Sequence, residues 1–277
     1  MKKLTALIAT AGLATLLTAC GDDSSAGETT KVTLGISGSD TTIWDYVGDK
    51  AAKEGIELDI ITFSDYVAPN LALAEGELDL NAFQTISYFD EFVEEHNVDI
   101  VPIGSTVIAP MGLYSEKYDS IEELPDGAQI AMPNEATNMG RALLLLDESG
   151  LITLSDEAGL TGTEADIVEN PKNIEIVPMT SGHTPRAMAD VAASVVNNGI
   201  AVDAGLNPTE DPIARESDTA KPYINLIAAQ KGQEDNEAYQ RIVELYQEED
   251  TAEFVIEHTE GAQIPTFVSV EELVDYK

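Results

Sequence analysis

Cysteine and tryptophan each occur once in the 277 residues, histidine three times, and lysine plus arginine 14 times against 51 acidic residues. One cysteine excludes an intramolecular disulfide. The shortage of basic side chains leaves a formal net charge of −37, which argues against nucleic acid or an anionic membrane surface as an electrostatic partner. His96, His183 and His258 are scattered without metal-ligand spacing, and no HExxH, GxSxG, Walker or GxGxxG motif is present. Carboxylate pairs are so abundant that none stands out. No catalytic centre, cofactor or metal is expected, and an enzyme using some of these acids remains only a rival reading.

A long apolar run is also missing, except at the N-terminus. Lys2 and Lys3 precede an apolar stretch over residues 4–17, shorter than the ~20 residues a spanning helix needs. Its end, Leu17-Thr-Ala-Cys20, resembles the lipobox of bacterial lipoproteins. The pattern predicts a signal peptide over residues 1–19 and lipidation at Cys20, then a Gly/Ser/Asp-rich flexible tether to residue 30. An extracytoplasmic chain anchored to the cell membrane by lipid follows. Aromatic residues at 6% and hydrophobic ones at 43% are ordinary for a folded chain. The acids read as a solvated surface adapted to high salt or an acidic wall.

What is there in quantity is an alternation of short apolar runs and amphipathic segments, the pattern of a parallel α/β sheet. Strands are expected at 31–37, 56–63, 78–83, 98–104, 107–114, 174–178, 194–197 and 223–228. Helices are expected after Thr41 or Thr42, from Pro69 to Gly76, around Phe89, over 184–193 and over 237–258. The uncharged 107–114 and 223–228 strands are placed to cross between two lobes. The first lobe takes residues 31–112 plus 226–277 and the second 113–225, with a ligand cleft between them beyond the carboxyl ends of the strands.

Residues 128–146 concentrate the chemistry. A strand ending at Pro133 leads through a polar turn, where Thr137 or Asn138 can cap a helix starting near Met139. Arg141 then falls in the first turn, ahead of four consecutive leucines. A cation sits poorly at a helix N-terminus unless an anion joins it, and a guanidinium fork matches a carboxylate. The candidate role is a clamp for the α-carboxylate of a small ligand; a surface pair with Asp147 or Glu148 is the alternative. Gln84 and Asn197 lie at strand ends, Asn225 interrupts the 223–228 strand, and Asn138 stands beside the turn. Their amides can hold an ammonium group or bond locally. Tyr66, Phe83 and Tyr88 can wall an apolar pocket or simply be core.

Phe63-Ser-Asp-Tyr-Val-Ala-Pro-Asn70, Asp79-Leu-Asn-Ala-Phe-Gln84, Thr137-Asn-Met-Gly-Arg-Ala-Leu143, Glu169-Asn-Pro-Lys-Asn173 and Tyr223-Ile-Asn-Leu-Ile227 together resemble the NlpA-type lipoproteins, substrate-binding components of methionine-import ABC transporters. The resemblance runs from Lys31 through the rest of the chain. It implies an α/β, two-lobed periplasmic-binding-protein fold of the type II, two-crossover kind, with parallel-rich sheets flanked by helices. It also implies a monomer that delivers methionine to an ABC permease and its ATPase. Arg141 becomes the carboxylate clamp, Asn197 and Asn225 contacts to the amino-acid head, and Tyr66, Phe83 and Tyr88 walls around the thioether. Thr85 stands where the family often has histidine, and Val107 and Ala109 where it often has aromatics. D-methionine, a methionine dipeptide or another apolar amino acid therefore stays open beside L-methionine, as does a surface sensor or adhesion lipoprotein.

Overall fold

The structure, a computed structural model, describes residues 29–217 and 221–276. The expected signal peptide, Cys20 and most of the tether lie outside the described residues. In chain order the strands are β1 Thr30–Ser37, β2 Ile56–Phe63, β3 Leu80–Thr85, β4 Ile100–Ile108, β5 Gly112–Tyr114, β6 Gln129–Pro133, β7 Thr153–Leu154, β8 Ile167–Glu169, β9 Glu175–Met179, β10 Ala193–Val196, β11 Ala214–Arg215, β12 Ile224–Gln230 and β13 Ile264–Pro265. The helices are α1 Thr42–Ala52, α2 Ala68–Glu75, α3 Ile86–His96, α4 Ala136–Glu148, α5 Thr184–Ala187, α6 Asn198–Asp203, α7 Glu237–Tyr246, α8 Glu249–His258 and α9 Val270–Val274.

Two sheets carry two cores. A six-stranded sheet has the order β13-β4-β12-β3-β1-β2, and a five-stranded sheet the order β11-β5-β10-β6-β9. In the first, β1 runs parallel to β2 and β3, while β12 lies antiparallel between β3 and β4. In the second, β6 is parallel to β9 and β10, and β5 is antiparallel to β10. Covered on both faces by helices, such strands need apolar side chains on both sides. β12 shows this directly: Ile227 and Ala229 join one buried cluster, and Leu226 and Ala228 the cluster on the opposite face. The second sheet packs its own core, in which Leu143, Leu145 and Leu146 of α4 meet Ile130, Met132 and Val195. Burying each such side chain contributes about 1.5–3 kcal/mol.

Pro110 ends β4 without an N–H to continue the ladder, and the chain enters the second sheet at β5. It is back in the first sheet at β12. The expected single strand over 107–114 is thus two strands in different sheets. The expected helix over 237–258 is likewise two: Gln247 donates to the Ser105 carbonyl (2.9 Å), and extended Glu248 starts α8 with Glu249 and Asp250 in its first turn, where acids suit the helix dipole. The 184–193 helix stops at Ala187, and the chain bends before β10.

The start of α4 also differs from expectation. The helix begins at Ala136 with extended Glu135 as N-cap, so Arg141 lies in the second turn and not the first. The Glu135 carboxylate turns away to accept from Ser181 Oγ (2.5 Å). Gly140 is where α4 meets the loop at Leu160, whose carbonyl oxygen would overlap any Cβ at that position.

Hydrogen bonds join the two lobes across the cleft. Ser39, in the β1–α1 turn, donates through its backbone N–H (3.0 Å) and its Oγ (2.7 Å) to Asp203 of α6. Gly38 permits this approach: its φ is +104°, and a Cβ would stand 3.1 Å from an Asp203 carboxylate oxygen. The Thr137 N–H, in the first turn of α4, donates to Glu91 of α3 (3.2 Å). Asn198 Nδ2 reaches the carbonyls of Pro110 (3.3 Å) and Ala262 (3.0 Å). The described conformation is closed.

Candidate functional site

The closed lobes bound a cavity of about 170 Å³. An engineered apolar cavity of ~150 Å³ holds a benzene molecule, so this space suits a single small metabolite. All eight residues singled out from the sequence (Tyr66, Phe83, Gln84, Tyr88, Asn138, Arg141, Asn197 and Asn225) lie on its walls. Residues that sequence reasoning missed join them, among them Asp40, Trp44, Asn198 and Tyr246. Thr85, Val107 and Ala109 are on the wall as well.

Two sets of lining side chains differ in chemistry. Tyr66 comes from the turn after β2, Phe83 from β3 and Tyr88 from the first turn of α3. Tyr66 and Phe83 stack with centroids 5.8 Å apart, and Tyr88 meets both edge-on at 6.0 and 6.4 Å. Such offset and edge-to-face geometry is what aromatic quadrupoles favour. Tyr88 Oη donates to the Tyr66 carbonyl (3.0 Å), and burial raises the pKa of both phenols. Thr85, where a histidine was the family expectation, caps α3 by accepting from the Tyr88 N–H (3.3 Å). Gln84 is committed inward: its amide bonds Asn70 and Asn81 in a buried network with distances of 2.6–3.0 Å.

Arg141 anchors the polar set and is only 4% exposed. Its partner is neither Asp147 nor Glu148 but Glu216, itself 7% exposed. Nε donates to both carboxylate oxygens at 2.9 and 3.0 Å, and Nη2 to Glu216 Oε2 at 2.5 Å and to the Ala109 carbonyl at 3.0 Å. The Tyr223 ring lies under the guanidinium, 4.2 Å from Cζ. Burial pushes the Tyr223 phenol up to about 12, against the pull of Arg141. Nη1 has no hydrogen-bond partner among the described residues. Glu216 also fixes the first crossing segment, because it accepts from the Met111 N–H (3.1 Å) and its own N–H donates to the Met111 carbonyl (3.0 Å).

Beside this guanidinium sit the amides. Asn197 Nδ2 donates to Asn138 Oδ1 (3.2 Å), and its buried Oδ1 has no partner among the described residues. The buried Oδ1 of Asn198, also on the wall, has no partner among the described residues either, and half-buried Asn225 donates from Nδ2 to the Val107 carbonyl (3.2 Å) with no described hydrogen bond to its Oδ1. Buried amide oxygens are ordinarily paired. Asp40 is the other charged residue on the wall and contacts His258 (2.7 Å). Burial alone would raise its carboxyl, but hydrogen bonds from Thr42 and His258 prevail and hold it below its usual range.

Two sheets, two crossings and a ligand-sized cavity between closed lobes define a binding protein of the two-lobed, periplasmic type. Comparison with known proteins narrows the class. A family model described as NlpA lipoprotein matches residues 32–267, and the chain belongs to that family. It is 41% identical to the D-methionine-binding lipoprotein MetQ of Salmonella typhimurium over 241 residues, which cover 86% of this chain and 88% of that one. It is 37% identical over 260 residues to an uncharacterized lipoprotein, YhcJ, of Bacillus subtilis, covering 94% and 92%. Among solved structures, a nutrient-binding protein of Burkholderia cenocepacia bound to methionine superposes with a TM-score of 0.82 at 40% identity, covering 85% and 100%.

Proposed function

We propose that this chain is the substrate-binding lipoprotein of an ABC importer and that it takes methionine, as an extracytoplasmic monomer held to the membrane by lipid at Cys20. One observation carries the reading. On the wall of one closed cavity, the Arg141 Nη1 and the amide oxygens of Asn197, Asn198 and Asn225 have no hydrogen-bond partner among the described residues, and three aromatic rings line the same space. A zwitterionic amino acid offers a carboxylate for Arg141 Nη1 and an ammonium for the Asn197 and Asn225 oxygens. Its thioether then meets Tyr66, Phe83 and Tyr88, a contact that sulfur and aromatic edges favour. The names of the relatives support the same ligand, and for MetQ the D-enantiomer. The cavity volume favours one amino acid over a dipeptide. Hinge closure around the ligand then presents the closed form to a permease and its ATPase.

The direct test is to denature the purified full chain, identify what co-purified by mass spectrometry, and titrate the ligand-free protein with L- and D-methionine by calorimetry. Methionine in the extract and saturable heat with either enantiomer are the expected results. No amino acid in the extract and no heat with either enantiomer would overturn the proposal.

A further inference from the structure

Glu216 does not line the cavity, yet it determines what Arg141 presents there. Its carboxylate takes the Nε edge of the guanidinium and one Nη2 proton, and the Ala109 carbonyl takes the other. Tyr223 stacks on the guanidinium face. The plane is thereby fixed, and Nη1 alone is left to meet a ligand. The pairing also cancels the positive charge of Arg141. With Asp40 as the other charged side chain on the wall, the cavity has no surplus of positive charge.

We propose that Glu216 is a positioning and specificity-determining residue: by orienting and neutralising Arg141 it makes the cavity select a zwitterion over a simple carboxylate. The inference rests on the reading of the cavity as an amino-acid site. A bare anion of the same length puts a negative charge into a site whose one cation among the described residues is already paired, and it leaves the Asn197 and Asn225 oxygens unmatched. A zwitterion brings no net charge and fills both. Removing the Glu216 charge leaves Arg141 uncompensated, which attracts the carboxylate and repels the ammonium. At a few ångströms in a partly screened interior, one unit charge alters affinity more than tenfold.

The test compares methionine with 4-(methylthio)butanoate, which keeps the carboxylate and thioether but lacks the amine, by calorimetry on the full chain. The unaltered protein is expected to prefer methionine at least tenfold. In Glu216→Gln the preference is expected to shrink at least tenfold, and in Glu216→Asp, which retains the charge, to stay within about threefold of the original. A fault in folding alone lowers both affinities together and leaves their ratio in place. Equal affinities in the unaltered protein, or an unchanged ratio in Glu216→Gln, would overturn the assignment. The first of these arms needs no variant, so it stands even if Glu216→Gln does not fold. If the unaltered protein binds neither compound, the amino-acid reading itself falls, and this one with it.

Discussion

The polar and aromatic side chains of the cavity are built on different principles, and all but Asn225 of β12 in the polar set come from the lobe opposite the rings. Arg141, Asn138 and Asn197 belong to α4 and the end of β10, where each side chain is tied by hydrogen bonds to a second residue. Tyr66, Phe83 and Tyr88 belong to the six-stranded lobe and are placed mainly by ring packing. The first set is directional and charge-dependent, so it reads the part common to every amino acid. The second is weakly directional and responds to volume and polarisability, so it reads the side chain. Division of this kind predicts that the two sets fail differently.

Breaking the polar set is expected to have the largest effect. Arg141→Ala removes a charge-assisted contact worth about 1.5–3 kcal/mol, so methionine affinity is expected to fall at least tenfold in a calorimetric titration. Other amino acids that bind at all should suffer the same factor. A loss confined to methionine would erase the proposed division. Phe83→Ala sharpens it from the other side. Sulfur–aromatic contact contributes about 0.3–1.5 kcal/mol, so methionine is expected to weaken by roughly two- to tenfold, while a ligand as small as alanine is unaffected.

The smallest effect lies at the wall residue whose bonding is internal to one lobe. The Asp40 carboxyl is held below its ordinary range in the folded protein, so its charged form is favoured by folding. That contribution is present above the ordinary carboxylate pKa and disappears as pH falls through the lowered value. Both Asp40 and His258 are partly solvated, with side-chain exposures of 42% and 29%, which keeps the contribution below about 1 kcal/mol. Asp40→Asn is therefore expected to lower the unfolding temperature slightly at neutral pH and not at all well below pH 3–4. A difference that grows on acidification would reverse the assigned sign.

Much of the fold was legible because its strands are short apolar runs between turn signals. β2 falls on residues 56–63, and α2 runs from an early proline to Gly76, which closes it with φ of +78°. Boundaries failed where tertiary contacts decide them. Residues 107–114 read as one apolar strand because nothing local says that the ladder changes sheets after Pro110. The start of α4 was misplaced because Glu135 caps it by backbone conformation alone, while its side chain serves Ser181. The candidate residues came together on one cavity wall, although the clamp argument from the first helical turn does not survive, since Arg141 is in the second. Its true partner was hidden by composition: Glu216 sits 75 positions away in a chain with 51 acids. A buried acid there looks no different in sequence from a solvated one.

Trp44 gives the molecule a property unrelated to its transport chemistry. It is the only indole in the chain, it lies on the cavity wall, and it packs against Tyr246 with centroids 4.8 Å apart. Indole emission, excited apart from the nine tyrosines, therefore arises from one location, on the wall of the cavity. Occupancy can be followed optically on the unlabelled protein, and each lobe variant can be ranked without attaching a dye.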